Sequence, residues 1–407
     1  MRFLKFALLA CQLVLPVLAQ DATNSSAIFQ LSSDPEFAFV LETVMSLANN
    51  YGAQTGEVLR AASQITPGDF ESWYDQFVYL GDAIHDKATA INASRFPVSA
   101  REAYFRSSSY YRYAPFFLHG NQSDPRINKI GALAAQRGNA KLPTLVLNEG
   151  YDAAQEDVYH ELGLEILNRG WNVITYEGPG QPTVLRDQKL GFIPDWWNVL
   201  SPVIDYLETR DDVDMDHVAT VGVSFGGQLT PLAATREHRL SAVICVDGMT
   251  DMHAIFAAEL GATTIALYNN GSYAEFDKLI LAAARSSSTP TSARWALDQS
   301  LFSFNTTSPS VWWGRLAEFT INSTMLANIS CPVFVGEGEN DSLGGQAVKM
   351  ARTLGNKATY NLFRTDVGAG EHCQLGAEAQ LAQVTMDWLD ETWEHVALPK
   401  NLTNVVY

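Results

Sequence analysis

The octapeptide VGVSFGGQ, Val221–Gln228, holds a G-x-S-x-G pattern centred on Ser224. Such a pentapeptide decides little by itself; its neighbours give it meaning. HVATVGVS before it reads as a buried strand, and GGQLTPLAATR after it as the start of a helix. Ser224 therefore lies on a sharp strand-to-helix turn, where only small residues fit beside it. Gly222 and Gly226 supply the room, and Gly227 eases the packing of the helix. On such a turn the hydroxyl projects from the carboxyl edge of the sheet. The Phe225 N–H, at a helix N-terminus, then points to where an oxyanion would form.

Further out, from about Lys141, short apolar runs alternate with helical stretches: LPTLVLN, WNVITYEG, HVATVGVS, SAVICVDG, CPVFVGEG and ATYNLFRT. Most are continuously apolar, as strands of a parallel sheet are when helices cover both faces. Helices are expected at Gln155–Asn168 and Trp196–Thr209. The pattern predicts an α/β protein with a mostly parallel, doubly wound sheet. Between SAVICVDG and CPVFVGEG lies far more chain than one crossover helix needs. It has helical pieces at Ala274–Arg285 and Ala293–Leu301, with a flexible SSSTPTS at 286–292, and reads as an inserted lid over residues 251–325. Residues 20–130 lack strand signals and form a helical N-terminal domain, leaving 131–250 and 326–407 as the two parts of the core. Within that domain Tyr104, Phe105, Tyr110, Tyr111, Tyr113, Phe116 and Phe117 recur at helical spacing. Such spacing favours core packing over a ligand pocket. Pro115 should end or kink the helix that carries them.

A serine hydroxyl is a poor nucleophile until a base takes its proton. Of the eight histidines, only His372 lies in the loop directly after the last expected strand, Gly368-Ala369-Gly370-Glu371-His372. His85 and His119 fall in the helical N-terminal part, and His253 opens the lid. The orienting acid should follow a strand between serine and histidine. Asp341 follows CPVFVGEG and is favoured; Asp247, at the end of SAVICVDG, is the rival. The acid would accept the imidazole N–H and fix its tautomer. After LPTLVLN, the Gly150 turn would expose the Tyr151 N–H as a second oxyanion donor beside that of Phe225.

Other chemistries find no support. Gly178-Pro179-Gly180 lacks dinucleotide or phosphate-loop spacing, and Pro179 has no N–H. No His, Cys, Asp or Glu cluster has metal-ligand spacing, so no cofactor and no metal are expected. Glu149, Glu177, Glu337, Glu339 and Glu371, at strand ends and in the histidine loop, read as solvated or hydrogen-bonded loop residues that could also make a pocket acidic. The 407 residues are 47% hydrophobic and carry a net charge of −18. That charge repels nucleic acid and anionic membrane surfaces, which are not expected as partners. A basic start (Arg2, Lys5), an apolar run to Leu18 and small residues near Ala19 make residues 1–19 a secretory signal peptide, cut after Ala19. No later run is apolar enough to span a bilayer. Glycosylation sequons begin at Asn24, Asn92, Asn121, Asn270, Asn305, Asn322, Asn328, Asn340 and Asn401, supporting the secretory route and N-glycans. Asn340 adjoins Asp341, so its sequon would lie in the site and stay unmodified. Of four cysteines, Cys11 leaves with the signal, and Cys245, Cys331 and Cys373 can form at most one disulfide.

These segments together resemble a known family. SAREAYFRSSSYYRYAPFFLHG, NEGYDAAQED, YEGPGQ, VGVSFGGQ, GENDS and GEHCQLGA are similar to the α/β-hydrolase superfamily, in the branch with a helical N-terminal domain that includes 2,6-dihydroxypseudooxynicotine hydrolase and fungal hydrolases of secondary-metabolite clusters. One departure is Pro182 after YEGPGQ, where a glycine is expected. The resemblance implies Ser224, Asp341 and His372 as a triad, with Tyr151 and Phe225 as oxyanion donors. It implies cleavage of an ester, or of a carbon–carbon bond beside a carbonyl, with polyketide chains among the fungal members' substrates. The expectation is a secreted, cofactor-free serine hydrolase acting on a small, fairly apolar molecule. A non-hydrolytic cyclase or lyase, or a binding protein on the same scaffold, are the alternatives.

Overall fold

The computed structural model describes residues 29–124, 126 and 141–394. The signal peptide at 1–19, Cys11 and the sequons at Asn24 and Asn401 lie outside these residues.

Six parallel strands form one sheet in the order β2-β1-β3-β4-β5-β6. They are β1 Leu142–Asn148, β2 Asn172–Tyr176, β3 Val213–Val223, β4 Ala242–Val246, β5 Val333–Gly338 and β6 Ala358–Phe363. Every residue of β1 and β4 is buried, whereas the edge strand β6 is mostly open. That difference follows from position: inner strands have helices on both faces. Alternate residues serve opposite faces. Val146, Val243 and Val335 pack with Leu200, Ile204, Leu229 and Met350 on one side. Leu145, Val221, Ile244 and Phe334 pack with Leu162, Ile166 and Leu389 on the other.

All six expected strands are present. β3 starts earlier than its apolar run suggests, at Val213, and its pairing with β1 shifts register between Leu142 and Thr144. The extension contains Asp214 and Asp216, which an apolar-run criterion passes over.

The N-terminal region is built from the helices Pro35–Ser46, Thr55–Ala62, Phe70–Ala90 and Pro97–Tyr113. Asp34 and Asp69 cap two of them by accepting N–H groups of the first turn. The last ends two residues before Pro115, as its ring requires. Phe37, Trp73, Phe77 and Tyr110 are fully buried at the centre of this region. Trp73 Nε1 also donates to the Tyr113 carbonyl at 2.9 Å. Tyr104 departs from the expected core role and is 40% exposed.

Between β4 and β5 the chain forms the helices Met252–Asn269, Tyr273–Ala284, Thr291–Ser303 and Pro309–Leu316. The segment 286–292, expected to be flexible, is pinned instead. Thr289 is buried, and Thr291 donates to Asp34 of the N-terminal region at 2.5 Å. Its serines and proline look like linker composition, but the hydroxyls are used as local caps and cross-links. Met252–Asn269 is apolar yet buries only Thr264 fully and breaks at Gly261, where φ is 72°. Cys245, Cys331 and Cys373 are buried and free.

Candidate active site

The turn after β3 places Ser224 in the left-handed region, with φ of 54°. A side chain there is strained and persists only where the surroundings enforce it. The flanking glycines show how tight this packing is. A Cβ on Gly222 would stand 2.0 Å from the Gly226 carbonyl oxygen, and one on Gly227 would stand 2.4 Å from that of Asp247. The helix Gly226–Ala234 starts immediately after the turn.

His372, in the loop after β6, aims Nε2 at Ser224 Oγ, 3.0 Å away. Its Nδ1 lies 2.7 Å from Asp341 Oδ2, in the loop after β5. The structure thus brings Ser224, His372 and Asp341 together in one hydrogen-bonded chain. The rival acid is there too: Asp247 Oδ2 lies 3.2 Å from the same Nδ1. Burial works against the His372 cation, but Asp341, Cys373 and Asp247 overcome it and lift the imidazole well above its ordinary range. The Asp341 carboxyl is pushed up to about 6, first by burial and further by Asp247, against the pull of His372.

Gly150, after β1, presses against the serine turn. A Cβ there would come 2.7 Å from the Phe225 nitrogen and 2.8 Å from Ser224 Cβ. Only a glycine lets these two turns approach so closely. Among the described residues no backbone acceptor takes the Phe225 or Tyr151 N–H. The Tyr151 side chain points away into the interior, donating to Ser300 Oγ at 2.7 Å and stacking on Phe192.

Two glutamines that sequence reading passed over hold this turn. Gln181, fully buried, donates to the Glu149 carbonyl at 2.5 Å and accepts from Gly178 N–H at 2.7 Å and Asn148 Nδ2 at 3.1 Å. Gln299, from the Thr291–Ser303 helix, donates to the Tyr151 carbonyl at 2.9 Å. The departure at Pro182 now has a physical reason. Pro182 opens the helix Pro182–Gln188, a position where a missing N–H costs nothing, and this sets Gln181 at the cap. Buried glutamines carry no sequence signal beyond their neighbourhood; YEGPGQ was the one available hint.

A cavity of about 870 Å³ opens over Ser224 and His372, within the range of small-molecule sites. The N-terminal region contributes Val40, Tyr113 and Phe116, and the helices before β5 contribute Met252, Phe256 and Leu260. Tyr113 and Phe116 thus serve both core and cavity. Glu36, Glu149, Asp152, Glu161, Glu259 and Glu371 also line it, whereas no Lys or Arg does among the described residues. Burial pushes Glu36 up to about 8, with Asp152 and Asp34 adding to the rise. It pushes Glu161 to about 8 as well, with Asp157 adding.

Of the other candidates, Glu177 accepts N–H groups of Gln155 and Thr183, and Glu337 accepts the Tyr360 hydroxyl. Glu339 pairs with Arg364. None of these three lines the cavity. His119 is buried and stacked on Phe302, and His253 packs on Trp313. Asn340 is exposed at the cavity mouth, its amide donating to Glu371. Asn92, Asn121, Asn270, Asn305, Asn322 and Asn328 are also exposed.

Comparison with known proteins places this architecture. Residues 200–292, which include the serine turn, match the model of the prolyl oligopeptidase family, Peptidase_S9. The Hydrolase LUC6 of Fusarium sp is 28% identical, over 88% of this chain and 96% of its own. The 20-hydroxy-prefusarin hydrolase FUS2 of Gibberella moniliformis is 26% identical, over 84% and 93%. The crystal structure of 2,6-dihydroxy-pseudo-oxynicotine hydrolase superposes with a TM-score of 0.60 at 16% identity, covering 85% of this chain and 95% of that one, which speaks to the fold. The sheet order, the helical N-terminal region and these matches show that the chain has the α/β-hydrolase fold, shared with the oxynicotine enzyme, and is similar to these fungal hydrolases.

Proposed function

We propose that the protein is a serine hydrolase in which Ser224 is the nucleophile, His372 the general base and acid, and Asp341 an orienting acid. The observation that carries this reading is the chain Ser224 Oγ–His372 Nε2–Asp341 Oδ2, with links of 3.0 and 2.7 Å, on the wall of an 870 Å³ cavity. Ser224 Oγ attacks a substrate carbonyl carbon while His372 takes its proton. The N–H groups of Phe225 and Tyr151 hold the resulting oxyanion. As the intermediate collapses to an acyl-Ser224 ester, the bond from the carbonyl carbon to the leaving group breaks, and the imidazolium protonates that group, an alkoxide from an ester or a carbanion from a carbon–carbon cleavage. Water, deprotonated by His372, releases the acyl group as an acid and restores Ser224.

The substrate is a small, fairly apolar molecule. Support comes from the helix Met252–Asn269, whose apolar side chains Met252, Phe256 and Leu260 line the cavity while their other sides pack on the core. The fungal relatives favour a role in secondary metabolism, FUS2 by its name acting on 20-hydroxy-prefusarin. Secretion after cleavage at Ala19, with N-glycans on the exposed sequons, belongs to the same proposal.

Labelling with a fluorophosphonate probe tests the mechanism. Wild type should be labelled, and Ser224→Ala should lose both labelling and turnover. Retained turnover in that variant overturns the reading. Turnover of esters and β-diketones in ¹⁸O-water should place one ¹⁸O atom in the acid product. Product formed without ¹⁸O would favour a cyclase or lyase instead.

A further inference from the structure

The imidazole N–H of His372 faces two carboxylates. Asp341 Oδ2 is 2.7 Å from Nδ1, and Asp247 Oδ2 is 3.2 Å from it. Both acids are almost closed to solvent, their side chains 2% and 0% exposed. They follow adjacent strands: Asp247, with φ of 62°, comes directly after β4, and Asp341 follows β5.

The two are held very differently. Asp247 Oδ1 accepts the Gly338 N–H at 3.1 Å and Gln374 Nε2 at 2.9 Å, while Oδ2 accepts the Cys373 N–H. Three protein donors besides the imidazole therefore stabilise its anion. Asp341 has no such cradle among the described residues; the contacts of its carboxylate are His372 and Asp247. Two buried carboxyls this close cannot both ionise cheaply. The cradle decides which one ionises first: Asp247 holds its charge throughout, and Asp341 gains its own only above about pH 6. Burial would raise Asp247, but His372, Asp341 and the Cys373 N–H outweigh it and hold it at about 2.

We infer that Asp247 is a second positioning acid for His372, an anchored carboxylate that holds the imidazole tautomer together with Asp341 and can do so when Asp341 is removed. The inference rests on the proposed role of His372. A serine hydrolase whose single acid is replaced loses roughly 10⁴-fold in kcat, because the imidazole takes the wrong tautomer. Here Nδ1 keeps a carboxylate partner already at 3.2 Å. The titratable groups around the imidazole are Asp247 just after β4, Asp341 after β5, Cys373 beside it and Asp152 in the turn after β1. Loss of Asp341 removes one negative neighbour, so the imidazole should also titrate lower.

The test compares Asp341→Ala, Asp247→Asn and the double variant, with p-nitrophenyl butyrate as substrate. Asp341→Ala should lose about 10- to 100-fold in kcat with KM little changed, and the acid limb of its pH profile should move down. The double variant should approach the roughly 10⁴-fold loss of an acid-free triad. A full loss of about 10⁴-fold in Asp341→Ala overturns the inference. The downfield proton resonance of His372 Nδ1–H, identified by its loss in His372→Ala, gives a second readout that needs no turnover and no correct substrate. It should persist in Asp341→Ala; its disappearance from that folded variant overturns the inference even if the enzyme proves not to be a hydrolase. Failure of wild type to react with a fluorophosphonate would count against the hydrolase reading and leave the resonance to decide this one.

Discussion

The side-chain amide of Gln299 donates to the carbonyl of Tyr151 at 2.9 Å, joining a helix inserted between β4 and β5 to the turn that follows β1. Ser303 Oγ reaches the same carbonyl at 3.2 Å. The insertion is thus built into the proposed oxyanion turn rather than merely laid over it. Gln299→Leu leaves the Tyr151 carbonyl with a weaker partner and frees the peptide to rotate. One lost donor at an oxyanion site costs up to about 10²–10³ in kcat; an indirect loss of orientation should cost less, about 10-fold. KM should change little. Steady-state kinetics checks this, and an unchanged kcat refutes the coupling.

Gln181 braces the other side of that turn, through the Glu149 carbonyl. Its amide is fully buried, and Gln181→Ala would strand the Gly178 N–H and the Glu149 carbonyl. Each buried group left without a partner costs about 1–3 kcal/mol. Thermal or urea unfolding should show a loss of roughly 2–4 kcal/mol in all. Gln181→Glu, which keeps the acceptor and loses the donor, should fall between. Equal stability of the three proteins would show that the brace is idle.

The sheet and the order of Ser224, Asp341 and His372 were readable because they rest on local signals: continuous apolar runs, a glycine-flanked serine, and the places where strands end. Gln181, Gln299 and the second contact of Asp247 were not readable in the same way. Each depends on side chains far apart in sequence meeting in one place, such as Asp247 with Cys373 and Gln374. The rivalry between Asp247 and Asp341 was visible in the strand ends. That both would face one nitrogen was not, because alternation along a strand says nothing of distance across two loops. The helix Met252–Asn269 escaped for another reason: it is apolar on most sides and so shows no helical period.

The charge of the cavity should select among substrates. Glu36, Asp152, Glu161 and Glu371 face it without a Lys or Arg in its lining among the described residues. Above about pH 8, where Glu36 and Glu161 ionise, an anion in this site is repelled by these groups more strongly than in water. Of three esters matched in length, one neutral, one bearing a trimethylammonium group and one a carboxylate, the carboxylate should have the lowest kcat/KM. A tenfold deficit corresponds to about 1.4 kcal/mol, a modest demand on several carboxyls. Salt should narrow the gap if it is electrostatic. Equal kcat/KM for all three above pH 8 would overturn this selection, whereas below it protonation of Glu36 and Glu161 should narrow the gap.

That protonation sets a conflict between stability and activity along the pH axis. Glu36 and Glu161 are raised by burial from the ordinary carboxyl range to about 8. A group whose folded pKa is raised gives stability that is whole below its unfolded pKa and is lost as pH climbs through the folded one. The melting temperature should therefore be highest near pH 4–5 and fall steadily to about pH 8. Glu36→Gln and Glu161→Gln, which cannot ionise, should each flatten that slope. Activity should move the opposite way. In the proposed mechanism His372 must be neutral to accept the Ser224 proton, and Asp341, Cys373 and Asp247 hold its pKa well above the usual imidazole range. The acid limb of kcat/KM should then lie above about pH 6.5, the ordinary value for histidine. Melting curves and rate profiles over the same buffers would show the two trends crossing. A bell centred at acid pH for activity would mean that the imidazole loses its proton far more easily than two adjacent carboxylates permit.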